Sequence, residues 1–246
     1  MDILTPTPLT AWAGKSGVFE RLYLNLEQKT VKLDTFERIV LCDFDGTITT
    51  EDTFVKMMQE FTPNLARELL PEIYALRLTL REGVRQTLES IPTAQYPEIL
   101  AFMEGEPMRS GFVEFLDFLE TQGVPIAIVS GGLRGMVETV LGPLKHRVLA
   151  IHAIEVDLGA EYLQVHSEFE AGTELVNKVA VMRRYSAGET VAIGDSVTDL
   201  NVGMEAGVVF ARDRLAAYLA ERQQPYLEWH DFFDLRDCLD RRWNSV

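Results

Sequence analysis

Acidic residues follow two short apolar runs of this 246-residue chain, and a lysine stands between them in sequence. The motif Asp43–Thr47 comes directly after Ile39–Cys42, and Gly194–Asp199 comes directly after Val191–Ile193. An acid that closes a buried apolar strand is costly unless it is paired or holds a metal ion. Carboxylates combined with Lys178 are the residue types that transfer of a phosphoryl group needs.

The first motif contains two carboxylates that can divide the work of phosphate hydrolysis. Strand alternation would point Asp43 and Asp45 to the same side, so that one can attack phosphorus while the other handles a proton. Thr47 lies in a turn whose backbone N–H groups can face phosphate oxygens. Ser130 and Gly131 stand at the expected start of a helix, which is a favourable place to bind a phosphate oxygen.

The attack requires positive charge, because an aspartate and a phosphate dianion repel each other. Two like charges about 4 Å apart repel by about 4 kcal/mol at an effective dielectric constant of about 20. Lys178 offers one cation. Asp43, Asp195 and the backbone carbonyl of Asp45 offer the hard oxygen ligands that Mg²⁺ prefers. Asp199 follows Asp195 by one helical turn, so it can hold a metal-bound water or orient Lys178.

Strands that alternate with helices are predicted for most of the chain after residue 109. This pattern favours an α/β fold with a parallel sheet covered by helices on both faces. Ligands of such sheets bind beyond the carboxyl ends of the strands. Asp43, Ser130 and Asp195 each follow a predicted strand, so we expect them to converge.

Four segments can be separated along the chain. Residues 52–107 show helical spacing of apolar residues with no strand between, which predicts an inserted helical cap. Residues 37–51 and 108–246 form the expected catalytic core. Residues 1–36 match neither pattern and are interpreted as an N-terminal extension packed on the body.

Composition excludes several classes of function. The net charge of −15 disfavours nucleic acid and anionic membranes as partners. No apolar stretch approaches the length of a membrane span, and the start of the chain lacks the features of a secretory signal. The two cysteines, Cys42 and Cys238, are interpreted as thiols in a reducing compartment, so we expect a cytoplasmic protein.

The ordered motifs resemble those of the haloacid dehalogenase-like superfamily of phosphohydrolases. The resemblance covers residues 43–199 by motif and implies a Rossmann-like core with a helical cap inserted between the first and second motifs. It implies that Asp43 is the nucleophile, which forms an aspartyl-phosphate, and that Asp45 is the general acid and then the general base. Superfamily dehalogenases and transport ATPases lack the second aspartate, so Asp45 favours a phosphatase or a phosphomutase.

Within this superfamily the motifs are most similar to the phosphatases of methionine salvage, which act on 2-hydroxy-3-keto-5-methylthiopentenyl-1-phosphate. Phosphoserine phosphatases are the near alternative. They carry a glutamate nine places after the nucleophile and an arginine in the cap, both of which bind the substrate. Here Asp52 occupies the first position and Thr87 the second, with Arg85 two places away. Asp52 and Arg85 are therefore candidate substrate-binding residues.

The expected enzyme hydrolyses a small phosphorylated metabolite, uses Mg²⁺, and is a monomer or a homodimer. Two alternatives remain open at this stage: a phosphomutase, and a non-catalytic relative that binds a phosphometabolite or a partner protein. Met57, Met58 and Met103 are expected in the core of the cap or in an apolar wall over the substrate.

Overall fold

A seven-stranded sheet forms the centre of the computed structural model, which describes residues 34–244. The strand order is β4-β3-β2-β1-β5-β6-β7, and every neighbouring pair is parallel except β3 and β4. The strands are β1 (Asp34–Cys42), β2 (Ile126–Leu133), β3 (Ala150–Asp157), β4 (Gln164–His166), β5 (Tyr185–Gly194), β6 (Val208–Ala211) and β7 (Leu227–Glu228).

Helices cover both faces of this sheet and also form a block between β1 and β2. The α-helices are α1 (Thr53–Phe61), α2 (Pro63–Tyr74), α3 (Leu80–Leu88), α4 (Tyr96–Phe102), α5 (Phe112–Gln122), α6 (Arg134–Leu141), α7 (Lys178–Arg184), α8 (Leu200–Glu205), α9 (Asp213–Glu221) and α10 (Phe232–Asn244). The fold is therefore the α/β arrangement that the alternating pattern predicts.

The central strand β1 shows why the sheet is buried on both faces. Ile39 and Leu41 pack into one apolar cluster, whereas Val40 and Cys42 pack into a second cluster on the opposite face. Successive side chains of a strand point to opposite faces, so a continuous apolar run fits a strand that is covered on both sides. The register pairs Cys42 with Ile128 of β2 and Ile193 of β5.

This register brings the carboxyl ends of β1, β2 and β5 to one edge of the sheet. Asp43 follows β1, and Asp195 follows β5. Parallel neighbours end on the same side, so residues separated by about 150 positions in sequence meet there. That edge therefore holds the residues that the sequence singles out.

The helical block α1–α4 occupies the sequence between β1 and β2, and it contributes buried side chains to the main core. Met57, Met58 and Met103 are fully buried in the same apolar cluster as Leu41. Within residues 34–244, no helix has the length and apolar character needed to cross a membrane.

Several boundaries differ from those that the sequence predicts. Ser130 lies inside β2 rather than at a helix start, because the strand continues to Leu133 before α6 begins. Strand β1 begins at Asp34, within the segment 1–36 assigned to the extension. The remainder of that extension, 1–33, lies outside the described residues. Strand β7 had no sequence signal, since it is two residues long.

Candidate active site

A buried lysine joins two aspartates at the carboxyl edge of the sheet. Lys178 Nζ lies 2.5 Å from Asp43 Oδ1 and 2.6 Å from Asp199 Oδ1. All three residues are almost completely buried. Burial by itself lowers the pKa of Lys178, but the charges of Asp199 and Asp43 outweigh it, so the pKa is raised and the amine stays protonated. Lys178 begins α7, whose N-cap is Asn177.

A third carboxylate increases the excess of negative over positive charge around Lys178. Oxygens of Asp43, Asp195 and Asp199 all lie within 4.8 Å of one another. Burial, followed by the charge of Asp199, raises the pKa of Asp43 well above its usual value. Burial and Asp199 also raise the pKa of Asp195, to about 7. One ammonium group does not neutralise three carboxylates, and a hard divalent cation fits this donor set.

Asp45 lies beside this cluster and is held by three hydrogen bonds. Its Oδ2 accepts a hydrogen bond of 2.8 Å from the Ser130 hydroxyl, and its Oδ1 accepts from the Thr53 hydroxyl and from the Phe54 amide, at 3.1 Å for the amide. The Ser130 oxygen also accepts from the Gly132 amide. The Ser130 hydroxyl is therefore hydrogen-bonded to Asp45 and to its own strand. It does not lie at a helix N-terminus, as the sequence suggested.

Two glycines explain why the acidic motifs pack so closely. Gly46 has a φ of +78°, and a Cβ built there would lie 2.5 Å from Asp195 Oδ2. A Cβ at Gly194 would lie 2.3 Å from Asp199 Cγ. A side chain at either position would push a carboxylate away. The Thr47 hydroxyl spans the two motifs by donating to Asp195 Oδ1 at 3.1 Å.

A cavity of about 270 Å³ opens above these acids. Its wall is divided by chemistry: acids and Lys178 lie on the side of the sheet, and mostly apolar side chains come from α1, α2 and α3. The apolar side chains of these helices are Phe54, Val55, Leu70, Ile73, Leu80 and Val84, and Leu175, Val176 and Val197 add apolar surface from the segments that carry Lys178 and Asp195. Such a cavity suits a ligand with a charged end and an apolar end.

The sequence-predicted substrate residues divide into two groups. Asp52 and Gly131 line the cavity, and the Asp52 carboxylate also caps α1 by accepting from the Val55 amide. Burial raises the pKa of Asp52 to about 7. Arg85 does not line the cavity, because its guanidinium binds Glu89, Glu170 and the Val165 carbonyl. The structure thus places Arg85 outside the cavity wall, apart from Asp52 and Gly131.

The three methionines, Met57, Met58 and Met103, are also absent from the cavity wall. Their full burial places them in the core, so the wall over the cavity is built from branched aliphatic residues and aromatic residues instead.

Sequence reasoning missed several residues of this site. Glu174, Tyr74 and Arg214 all line the cavity, and Glu174 Oε1 accepts a hydrogen bond of 2.6 Å from Asn201. No local motif marks these positions, since they come from three separate segments. Arg109 was missed too, although it donates to the carbonyls of the turn after Asp43.

The comparisons with known proteins fit this geometry. Residues 40–203 match the family described as haloacid dehalogenase-like hydrolase. The chain belongs to that family. The matched span contains both acidic motifs, β2 and Lys178. In this hydrolase, Asp43 lies at the carboxyl end of the central strand β1. It is close to Asp195 and Asp199, which follow β5.

Related sequences support the family assignment over most of the chain, and solved structures share its fold. A relative from Microcystis aeruginosa, named 2-hydroxy-3-keto-5-methylthiopentenyl-1-phosphate phosphatase, is 52% identical over 82% of this chain and 97% of its own length. A relative of the same name from Bacillus cytotoxicus is 33% identical over 81% and 94%. A solved substrate complex of a phosphoserine phosphatase has a TM-score of 0.59 at 20% identity, covering 85% of this chain and 98% of its own.

A second solved structure, of a phosphoserine phosphohydrolase-like protein from Francisella tularensis, has a TM-score of 0.64 at 18% identity. It covers 82% of this hydrolase and 99% of its own chain. These structural neighbours share the fold with this hydrolase.

Proposed function

We propose that this chain is a Mg²⁺-dependent phosphomonoesterase that hydrolyses 2-hydroxy-3-keto-5-methylthiopentenyl-1-phosphate. The observation that carries the proposal is the 52% identity to a phosphatase of that name over 97% of its length. The cavity supports it because acids and Lys178 lie at one side and an apolar wall lies at the other. A phosphate ester with an apolar methylthio tail likewise has a charged end and an apolar end.

In the proposed first step, Asp43 attacks phosphorus and the bond between phosphorus and the ester oxygen breaks. Lys178 offsets the charge of the nucleophile and of the arriving phosphate. Asp45 donates a proton to the leaving oxygen. Burial raises the pKa of Asp45, against the opposing effect of its hydrogen bonds from Thr53 and Ser130, which suits a group that must carry a proton.

In the second step, Asp45 takes a proton from water and the oxygen of that water attacks the aspartyl-phosphate. The bond between Asp43 and phosphorus breaks, phosphate leaves, and the free carboxylate of Asp43 returns. Thr53 and Ser130 hold Asp45 in one orientation through both steps. The same carboxyl group therefore serves as acid and then as base.

A magnesium ion would be held by Asp43, Asp195 and the Asp45 carbonyl, with Asp199 orienting Lys178 or a metal-bound water. When bound, it would neutralise charge that builds on the phosphoryl oxygens. The mutual distances of the three aspartates support this assignment. Burial and the charge of Asp199 raise the pKa of Asp195, and a bound cation would oppose both effects.

The helices of 52–107 are proposed to act as a cap that selects the leaving group. Leu70, Ile73, Leu80 and Val84 provide apolar contacts for a methylthio tail. The leaving group of phosphoserine has no apolar tail to bury against these side chains. The wall therefore favours the methylthio substrate over phosphoserine.

The role of Asp43 is tested by Asp43→Asn. We expect the variant to lose at least about a thousandfold in kcat with p-nitrophenyl phosphate in Mg²⁺, because the amide is not a nucleophile. Asp117→Asn, a matched change at an exposed surface acid, should keep full turnover. Retained turnover in a folded Asp43→Asn protein would contradict the mechanism.

The substrate is tested by comparing kcat/KM for the methylthio enol phosphate and for phosphoserine, measured as released phosphate. We expect the enol phosphate to be preferred by at least about a hundredfold, since the apolar wall favours the methylthio tail, which phosphoserine lacks. Equal values, or a preference for phosphoserine, would contradict the proposed substrate.

A further inference from the structure

Arg214 is a cation of the cavity wall that the four sequence motifs do not use. It lies in the first turn of α9. Among the residues that line the cavity, Lys178 and Arg214 carry a positive charge. Lys178 is fully engaged by Asp43 and Asp199. Arg214 is therefore the cation of the wall that remains available to another part of a ligand.

The Arg214 side chain is positioned by stacking rather than by an ion pair. Its Cζ lies 3.6 Å from the centre of the Tyr74 ring, and Tyr74 belongs to α2. In residues 34–244, no carboxylate lies within ion-pairing distance of the Arg214 guanidinium. The neighbouring Asp213 is paired with Arg212 instead, at 2.8 Å.

Apart from a hydrogen bond with the Tyr74 hydroxyl, stacking of this kind leaves the N–H groups of the arginine available. A guanidinium that lies on an aromatic ring engages the ring with its flat face, while its N–H groups point outward in the guanidinium plane. Two neighbouring N–H groups form a fork that matches two adjacent oxygen atoms. The Arg214 guanidinium at the cavity wall therefore keeps N–H groups that can donate to a ligand.

The surroundings of Arg214 differ from those of the proposed nucleophile. Arg214 lowers the pKa of two titratable neighbours against the dominant effect of burial, that of Asp52 through its charge and that of Tyr74 through a hydrogen bond. The cation with the main influence on the pKa of Asp43 is Lys178. Arg214 thus belongs to the part of the wall near Asp52 and α2, where a leaving group would lie.

We propose that Arg214 is a specificity-determining residue that binds the adjacent hydroxyl and keto oxygens of the substrate's leaving group. The inference rests on the proposed function, whose substrate carries oxygens on its second and third carbons. Lys178 and the acids take the phosphate end, and the apolar wall takes the tail. The two oxygens between them need a polar contact inside the cavity, and the Arg214 fork provides it.

The test is Arg214→Gln assayed with two phosphate esters. One is 2-hydroxy-3-keto-5-methylthiopentenyl-1-phosphate, and the other is 5-methylthiopentyl phosphate, which keeps the phosphate and the tail but lacks both oxygens. We expect kcat/KM for the enol phosphate to fall by about 10- to 100-fold, since hydrogen bonds to a charged group are lost. The loss with 5-methylthiopentyl phosphate should be at least fivefold smaller.

Two further variants separate recognition from folding. Arg214→Lys keeps the charge but not the fork, so it should recover only part of the kcat/KM for the enol phosphate. Arg222→Gln makes the same chemical change at the other end of α9, where the guanidinium bonds to the Tyr218 carbonyl. It should behave as the wild type with both esters. Thermal unfolding midpoints of all variants should agree within a few degrees.

The outcomes separate this inference from the proposed function. If the wild type releases no phosphate from the enol phosphate, the proposed function fails and the inference fails with it. If the wild type is active but Arg214→Gln loses nothing, or loses the same factor with both esters, only the inference is overturned. An equal loss would mean that Arg214 serves the phosphate or the packing of α2. A selective loss supports recognition of the oxygens.

Discussion

Asp43, Lys178 and Asp199 are a buried group in which two carboxylates share one ammonium. Breaking a buried ion pair by removing one partner costs about 3 to 5 kcal/mol, because the other charge stays buried without compensation. Asp195 adds a further acid whose oxygen lies within 4.8 Å of both carboxylates. At the scale of single residues, the site is therefore charged beyond what its own side chains neutralise.

This imbalance predicts that the metal-free protein loses stability as pH rises. The pKa of Asp195 is raised from 3.8 to about 7 in the folded state. Between these values the folded protein binds a proton that the unfolded chain has released, so raising the pH favours unfolding. Urea unfolding in a chelator should show lower stability at about pH 8 than at about pH 5.

Asp195→Asn should reduce this pH dependence, whereas Asp117→Asn at the surface should leave it as in the wild type. Added Mg²⁺ should remove most of the loss, because a bound divalent cation favours the charged carboxylates. If the free energy of unfolding of the metal-free wild type instead rose from about pH 5 to about pH 8, the proposed excess of negative charge at the site would be contradicted.

At the scale of elements, Arg109 connects the two chain segments that enter and leave the helical block. Its Nε donates to the Thr47 carbonyl at 3.0 Å, and its Nη2 donates to the Gly46 carbonyl at 2.6 Å. Its own amide donates to the Ile48 carbonyl at 2.7 Å. The turn after Asp43 and the segment before α5 are thereby joined at one residue.

Arg109→Gln should destabilise the protein by about 2 kcal/mol, since buried carbonyls lose their donor. We also expect a lower kcat, because the freed turn carries Thr47, which donates to Asp195. Arg147→Gln is the matched control, as Arg147 pairs with exposed Asp117 and Glu120 and should contribute less than about 1 kcal/mol. Equal effects of the two variants in urea unfolding would contradict the role given to Arg109.

At the scale of the whole molecule, the net charge of −15 opposes the approach of an anionic substrate. The positive charge of the site is local, and much of it is neutralised by neighbouring acids. Binding is therefore expected to depend on contacts inside the cavity rather than on long-range attraction. Cytoplasmic location and a monomeric or homodimeric state stay predictions of the sequence.

Salt should consequently raise kcat/KM rather than lower it. An increase in ionic strength from about 10 mM to about 150 mM shortens the Debye length from about 30 Å to about 8 Å, which screens the repulsion. Measured with the enol phosphate at constant free Mg²⁺, kcat/KM should increase by a factor of about 2 to 3. A steep fall with salt would indicate electrostatic attraction and would contradict this expectation.

Much of the fold was accessible from the sequence because its signals are local. The apolar run Ile39–Cys42 predicted a strand buried on both faces, and the structure confirms it by the alternation of side chains between two clusters. Helix α5 ends at Gln122 because Gly123, with a φ of +66°, closes it. The order of strands and helices along the chain predicted the parallel sheet.

The sequence by itself determined the acidic motifs, the position of Lys178 and the order of the strands along the chain, because each depends on residues that are neighbours in sequence. Only the tertiary structure decided that Ser130 binds Asp45, that Arg85 turns away from the cavity, and that Arg214 stacks on Tyr74. These contacts join positions about 80 to 140 residues apart. No local periodicity records them, since packing selects the partner only after the sheet and its helices have assembled.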